Sequence, residues 1–447
     1  MTSQRRATAP EVPSGAARRG PSGPARSAAS GTVDIDSHVY EPDWLWSAYI
    51  SHEYLAAARA ALWHGFDDHG NRVTIRNGKP VREIGRSALI REAIWRPGMT
   101  PADIGKLDPE VFQPPNPGAS DAEVRLADMD AMGIDQSVIM PTLFAEHLPL
   151  VENPDIAAVL ARAYNDFAND FAQHAPNRLH PAAVLPLQSM YHARKELDRV
   201  AELGFRSVAI RPMFYAVPAS QNGTGGGSAF MAYHHPHGDV FVTDAYFKPL
   251  WRQIDALGLV ACVHPSSGIT NPEPASAGSF IERVSARMQI GHSVAEPTAL
   301  FQDNATFLTA ALFSGLLEDV PTLKIAMLHS GAAWLPLVLE KAETYLWLTI
   351  PGVLPPPENP VSLEPEDVIE AHPLLLSFDA WETPVARLID EVGAKAAFGS
   401  RYPHHDTSTP AEARTMLETN GIDAATVDKL MGGNAQELFG LPALATT

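Results

Sequence analysis

The chain has 447 residues, 45% hydrophobic and 19% charged, the balance of a globular protein that can bury a large core. Its formal net charge of −19 argues against nucleic acid and against an anionic membrane surface, because both require a basic face. No apolar run approaches the roughly 18–20 residues of a membrane span. A single cysteine, Cys262, excludes an intrachain disulfide, and we expect a reducing, cytoplasmic location.

Residues 1–31 are predicted to form a disordered tail. The segment consists mostly of Ala, Pro, Ser, Gly and Arg, and five arginines face one acid, Glu11. Such a composition cannot bury enough apolar surface to offset the entropy lost on ordering. Residues 32–447 are predicted to form one domain.

Eight short apolar runs recur along residues 32–447, with helical stretches between them. Continuous apolar runs of this length are typical of strands buried on both faces of a parallel sheet. Eight strand–helix repeats predict a closed (β/α)₈ barrel, the TIM-barrel fold. An open doubly wound sheet is the alternative, but no Gly-rich dinucleotide fingerprint follows the first strand. The predicted strands are Thr32–Asp36, Gln136–Met140, His180–Leu185, Phe205–Ile210, Leu259–Val263, Leu323–Leu328, Pro373–Phe378 and Ala396–Gly399.

Helix boundary signals support this alternation. Asn153-Pro154 is typical of an N-cap followed by proline in the first turn, and predicts a helix to Gln173. Residues 189–203 and 244–257 are each followed by a glycine, Gly204 and Gly258, as expected at a helix C-terminus.

Two insertions, residues 45–119 and 213–243, interrupt the pattern. The first contains Asn77-Gly78 between β-forming residues, which predicts a hairpin with a type I′ turn. Both insertions follow strand ends, so we expect both to lie over the C-terminal face of the barrel, where they could form a lid.

Polar residues follow several predicted strands at the barrel's C-terminal face, where functional groups of this fold project. Asp36 and His38 are two residues apart and therefore share a face of strand one. His264 ends strand five and His329 ends strand six. Two imidazoles and a carboxylate suit Zn²⁺ or a similar divalent ion, with one position left open.

These motifs resemble the amidohydrolase-related family, in the branch that contains aminocarboxymuconate-semialdehyde decarboxylase and the resorcylate decarboxylases. The similarity extends from about Val33 to Leu441, nearly the whole predicted domain. The segments that carry it are Asp34-Ile35-Asp36-Ser37-His38-Val39-Tyr40-Glu41-Pro42, Cys262-Val263-His264, Leu328-His329-Ser330-Gly331-Ala332-Ala333-Trp334-Leu335-Pro336 and Phe398-Gly399-Ser400-Arg401-Tyr402-Pro403-His404.

The resemblance implies a role for each strand-end residue. It implies that Asp36, His38 and His264 are metal ligands and that His329 is the acid/base residue. It implies that Arg211 contacts a substrate carboxylate, for which its bidentate fork is suited. Trp334 is expected either to form a substrate wall or to pack a helix.

Arg401 departs from the family pattern, which has an aspartate metal ligand at this position. A guanidinium there would repel a divalent ion by several kcal/mol at an effective dielectric near ~20. Arg401 could instead pair with Asp36 and take the place of the cation. In the remaining alternative it turns to solvent, and His404, His405 or Asp406 fills the gap.

The leading functional hypothesis is metal-dependent hydrolysis or non-oxidative decarboxylation of a small carboxylate or carbonyl substrate. In the decarboxylation alternative, Arg211 and Arg401 could clamp the departing carboxylate. A second hypothesis is metal-free catalysis in the same pocket, with Arg401 as a fixed electrophile and His329 as the acid/base residue. A third is a non-catalytic, ligand-binding relative, since fold does not guarantee activity. The resemblance is to dimeric enzymes and implies a homodimer.

Overall fold

The computed structural model describes residues 31–66, 72–81, 93–108, 113–215, 240–265, 296–349 and 364–443. The predicted tail, apart from Gly31, lies outside these ranges. So does most of the predicted insertion at residues 213–243. Among the described helices, none combines the length and apolarity needed to cross a membrane.

Eight parallel strands form one sheet, in the order β1-β5-β6-β7-β10-β11-β12-β13. Their bounds agree with the predicted runs to within two residues. In all, the described residues contain the strands β1 (Val33–His38), β2 (Leu62–Phe66), β3 (Arg72–Arg76), β4 (Lys79–Val81), β5 (Gln136–Met140), β6 (Leu179–Val184), β7 (Ser207–Ile210), β8 (Phe214–Tyr215), β9 (Val240–Phe241), β10 (Val260–Val263), β11 (Lys324–Met327), β12 (Leu374–Phe378) and β13 (Ala396–Phe398).

The residues after β13 return to β1 and bring the two ends of the sheet together. Arg401 N–H donates to the Asp36 carbonyl oxygen and His38 N–H donates to the Tyr402 carbonyl oxygen, both at 2.6 Å. The carboxylate of Asp34 accepts the backbone N–H of Ser400 at 2.9 Å. These contacts make the sheet a nearly closed barrel, and the (β/α)₈ prediction is confirmed.

Helices follow the barrel strands, with the predicted end signals in place. Asn153 caps its helix by accepting two backbone N–H groups, and Gly204 and Gly258 have positive φ after theirs. The α-helices are Leu45–Tyr49, His52–Ala61, Pro101–Ile104, Ala122–Met132, Leu143–His147, Pro154–Gln173, Met190–Glu202, Lys248–Ala256, Glu296–Phe313, Leu316–Asp319, Leu335–Thr349, Pro365–Ala371, Thr383–Arg387, Ile389–Val392, Pro410–Thr419, Ala424–Asp428 and Asn434–Phe439.

The segment between β1 and β5 contains a small antiparallel sheet of β2, β3 and β4. Asn77 and Gly78, with φ of 50° and 74°, form the turn between β3 and β4. Two positive φ values in succession define the type I′ turn, so the predicted hairpin is confirmed.

The strands separate two apolar layers. Side chains that alternate along the strands fill the barrel interior, among them Val138, Cys262 and Ala326, while helices pack on the outer face. The C-terminal helix adds Leu438 and Phe439 to the interior layer. A packed interior leaves the C-terminal rim, here called the mouth, as the place where polar groups converge.

Candidate metal centre

Asp36, His38 and His264 converge at the mouth. Asp36 Oδ1 lies 3.4 Å from His38 Nε2 and 3.7 Å from His264 Nε2. One ligand atom from each residue lies within 4.8 Å of the other two. We call these three side chains the cup.

A β-bulge turns Asp36 and His38 into the barrel. Asp34 is paired with Ser137 and Ser37 with Ile139, so β1 has one residue more than β5 between these pairs. Val33 and Ile35 face the interior layer, and the extra residue shifts the alternation so that Asp36 follows on the same side. Gly399 leaves room for the Asp36 side chain. Any other residue at this position would have a Cβ only 2.7 Å from the Cβ of Asp36, which is too close for two carbon atoms.

The donor atoms of the cup fit a divalent metal. His264 Nδ1 lies 2.7 Å from the Pro265 carbonyl oxygen and His38 Nδ1 lies 3.3 Å from that of Pro141, which places the ring protons on Nδ1 and the lone pairs on Nε2. Among the residues that the structure describes, Asp36 Oδ1 and both Nε2 atoms are buried without a hydrogen-bond partner. Two imidazoles and one carboxylate with an open position are typical of catalytic metal sites.

Burial and charge set the protonation states of the cup. Burial lowers the pKa of His264 to about 3, so its imidazole is neutral at neutral pH. Burial alone would raise the pKa of Asp36, but the closely approaching imidazoles of His38, His264 and His329 outweigh it and hold the pKa below its ordinary value. A carboxylate and neutral imidazoles are the forms that bind metal ions.

His329 lies beside the cup. Its ring centroid is 5.2 Å from that of His264, and its backbone N–H donates to Asp36 Oδ2 at 2.9 Å. The residue has φ of 54°, a left-handed conformation that is uncommon for a non-glycine residue and often found at functional sites. This backbone turn redirects the side chain after β11.

Arg401 adopts an arrangement that differs from both sequence-based alternatives. Its side chain is only 13% exposed, and its ion pairs within the described ranges are with Asp379 at 2.8 Å and Asp406 at 3.0 Å. The prediction that the guanidinium replaces the cation at Asp36 is therefore wrong, and so is the prediction that it turns to solvent. Because two carboxylates offset one guanidinium, the expected repulsion of a metal ion is reduced.

Arg211 lines a pocket that shares His264 with the cup. The walls other than Arg211 and His264 are mainly apolar. Arg211 is 5% exposed and donates from Nη1 to the Glu146 carbonyl oxygen at 2.5 Å. The wall residues include Phe144, Leu148, Val184, Leu187, Ile210 and Tyr215. An apolar pocket with a few polar groups at one end is typical of a small-molecule site.

Three other residues, Trp334, Glu41 and Cys262, make contacts that support the fold. Trp334 is 8% exposed and donates its indole N–H to the Gly331 carbonyl oxygen, which favours the helix-packing alternative. Glu41 accepts the backbone N–H groups of Leu143 and Thr142, and so caps a helix. Cys262 is buried in the core. Two further histidine-containing stretches of the sequence, His292 and His234-His235-Pro236-His237, lie outside the described residues.

Several residues that support the cup were not predicted from the sequence. Ser377 Oγ donates to Asp36 Oδ2 at 3.3 Å, and a serine within an apolar strand was the available signal. Arg125 is fully buried, with Nε donating to the Gly118 carbonyl oxygen and Nη2 to that of His38. No local pattern marks Arg125 as a support of the mouth, because His38 lies 87 residues away in sequence.

The fold and the cup define a (β/α)₈ barrel whose mouth could hold one divalent ion. A family model described as amidohydrolase matches residues 112–441. A γ-resorcylate decarboxylase from Polaromonas sp. is 28% identical over 329 residues, covering 72% of this chain and 87% of the relative. The chain belongs to the amidohydrolase family.

Solved structures share the fold. An amidohydrolase from Mycobacterium avium subsp. paratuberculosis superposes with a TM-score of 0.68 at 16% identity, over 92% of this chain and 98% of its own. A dihydroxybenzoic acid decarboxylase from Polaromonas sp., solved with manganese and 2-nitroresorcinol, has a TM-score of 0.57 at 20% identity, over 92% of this chain and 97% of its own. The prediction of an amidohydrolase-related enzyme is confirmed, and a non-catalytic relative is not favoured.

Proposed function

We propose that this enzyme catalyses the non-oxidative decarboxylation of a small hydroxylated aromatic acid, of which dihydroxybenzoate is the model. The observation that carries the proposal is the pocket shared by Arg211 and His264. Its apolar walls suit a flat ring, and its polar end adjoins the cup. The names of the γ-resorcylate decarboxylases that the chain resembles support the same substrate class.

Asp36, His38 and His264 would hold the divalent ion. Zn²⁺ suits this donor set, and the manganese in the related Polaromonas structure makes Mn²⁺ the first ion to test. When bound, the ion supplies a positive charge that polarises a substrate oxygen. Arg211 orients the substrate carboxylate through a charge-assisted hydrogen bond.

His329 moves the proton. The ring carbon that bears the carboxylate takes a proton from the His329 imidazolium while the bond to the carboxylate breaks. The carbon keeps the electron pair of that bond, carbon dioxide leaves, and His329 regains a proton from solvent. A hydroxyl next to the carboxylate raises the electron density on that carbon and so favours its protonation.

Arg401 is not needed as an electrophile in this proposal. Its guanidinium is held by Asp379 and Asp406, so the metal-free alternative has no observation in its favour. Hydrolysis remains an outcome that the experiment can detect.

The test is incubation of the purified enzyme, reconstituted with Mn²⁺ or with Zn²⁺, with 2,6-dihydroxybenzoate. We expect equal amounts of carbon dioxide and resorcinol. The matched control is 3,5-dihydroxybenzoate, in which both hydroxyls are meta to the carboxylate, and we expect it to react at least about 100-fold more slowly. No release of carbon dioxide from any hydroxybenzoate, together with turnover of ester or lactone substrates, would contradict the proposal and favour hydrolysis.

A further inference from the structure

The carboxylate of Asp406 lies between Arg401 and His329. Asp406 Oδ2 is 3.0 Å from Arg401 Nε and 3.6 Å from His329 Nε2. Arg401 Nη2 also donates to the Asp406 backbone carbonyl oxygen at 3.1 Å. The guanidinium therefore holds Asp406 by its side chain and by its main chain.

Arg401 is itself fixed from the opposite side. Its Nη1 donates to Asp379 Oδ2 at 2.8 Å, and its guanidinium carbon lies 5.6 Å from the centroid of the Trp381 ring. The other oxygen of Asp379 accepts the backbone N–H of Trp381 at 2.6 Å. A guanidinium with partners on several edges has little freedom to rotate, so it can fix the position of a neighbouring carboxylate.

The charges of this group favour an ionised Asp406. Burial would raise the pKa of Asp406, but Arg401 and His329 outweigh it and hold the pKa well below its ordinary range. Asp379 and Asp406 together exceed the charge of Arg401 by one negative unit. An anionic oxygen therefore faces His329 at neutral pH.

We propose that Asp406 is a positioning residue for His329 and that Arg401 acts on His329 only through Asp406. A carboxylate near one ring nitrogen fixes the orientation of an imidazole, as in other acid/base pairs. The arrangement gives Arg401 a function at the mouth that requires contact with neither metal nor substrate. This inference rests on the proposed acid/base role of His329.

The kinetic test compares two carboxylates that share one guanidinium. Asp406→Asn should lower kcat by about 10-fold to 100-fold while KM changes by less than about threefold, because substrate binding does not involve Asp406. Asp379→Asn is the matched control and should lower kcat by less than about threefold, because the asparagine oxygen can still accept the Arg401 hydrogen bond and the carboxylate beside His329 stays in place. Asp406→Glu keeps the charge and should restore part of the lost turnover.

A double-mutant cycle separates a path through Asp406 from a direct effect of Arg401. Arg401→Gln should lower kcat because it frees Asp406, and adding it to Asp406→Asn should cause little further loss. Effects of Arg401→Gln and Asp406→Asn that multiply would overturn the inference. So would equal losses in Asp379→Asn and Asp406→Asn.

A second readout does not depend on turnover. In protein labelled with ¹⁵N-histidine, the ring signals of His329 are identified by their disappearance in His329→Gln. We expect Asp406→Asn to shift these signals and Asp379→Asn to leave them in place. If wild type fails to release carbon dioxide but the signals behave as expected, the proposed function fails while the positioning of His329 by Asp406 stands. If both variants leave the signals unchanged, the positioning inference fails whether or not the enzyme is active.

Discussion

Buried histidines lie at both ends of this barrel, and their surroundings differ. His180, early in β6, and His372, just before β12, lie at the N-terminal ends of the strands, here called the bottom of the barrel. His38 and His264 lie at the ends of strands at the mouth. Burial lowers the pKa of His180 and of His372 to about 4, and that of His264 to about 3. These imidazoles are therefore neutral at neutral pH, wherever in the barrel they lie.

The neighbouring charges distinguish the two ends. At the bottom, Arg206 lowers the pKa of His180 further, and Lys395 acts in the same direction on His372, opposed by Asp255. At the mouth, the Nε2 atoms of two histidines approach one carboxylate oxygen. Burial alone thus produces a neutral packing histidine, whereas at the mouth the imidazoles also meet at a shared carboxylate oxygen, a donor set that suits a divalent ion.

The largest effect should come from removing that oxygen. Asp36→Asn should lower decarboxylation by about 1000-fold or more, because the cup loses its only carboxylate ligand. His372→Gln, a change at the bottom, should leave the rate within about threefold of wild type. Initial rates of carbon dioxide release at saturating metal measure both variants. Similar losses in the two would show that the contrast between mouth and bottom has no functional meaning.

The next largest effect should come from His329. His329→Gln should lower kcat by about 100-fold to 10,000-fold, the usual contribution of a general acid, while the protein still binds the metal. The measurement combines steady-state kinetics with metal analysis of the same samples. Retained activity would exclude His329 as the proton donor, and lost metal would instead make it a ligand.

Arg211 should affect substrate affinity more than turnover. Arg211→Gln should raise KM by about 10-fold to 100-fold, because a charge-assisted hydrogen bond to the substrate carboxylate is lost. Arg206→Gln, an arginine near the bottom, is the matched control and should leave KM near its wild-type value. An unchanged KM in Arg211→Gln would remove the carboxylate contact from the proposal.

The smallest effect concerns stability at the bottom. The pKa of His180 is lowered from its ordinary value of 6.5 to about 4, so on acidification the unfolded chain takes up a proton before the folded chain does. Above pH 6.5 this difference in pKa adds to the free energy of unfolding. The added free energy, about 3 kcal/mol at most, is lost as the pH falls towards 4. His180→Gln should therefore flatten the decline of Tm between pH 7 and pH 4.5 relative to wild type. An identical slope in both proteins would contradict this assignment.

Much of the barrel could be predicted from the sequence because its signals are local. Continuous apolar runs identify all eight barrel strands, and Asn153-Pro154, Gly204, Gly258 and Asn77-Gly78 identify helix ends and a turn. Such signals depend on the conformational preferences of neighbouring residues. The same runs place Asp36, His264 and His329 at strand ends.

The details of the mouth required tertiary information. The extra residue in β1 that directs Asp36 inward leaves no mark in the sequence, because it depends on the register with β5. The partners of Arg401 depend on its positive φ and on two loops that meet only in the folded barrel. Sequence alone therefore identified the unusual arginine but gave the wrong partner for its charge.

The most direct measurement is the metal content of the purified wild-type protein beside Asp36→Asn and His372→Gln. After dialysis against limiting Mn²⁺, we predict about one equivalent per chain in wild type and in His372→Gln, and a strongly reduced amount in Asp36→Asn. Wild-type protein that binds no divalent ion, or an Asp36→Asn variant that binds it as tightly as wild type, would contradict the account.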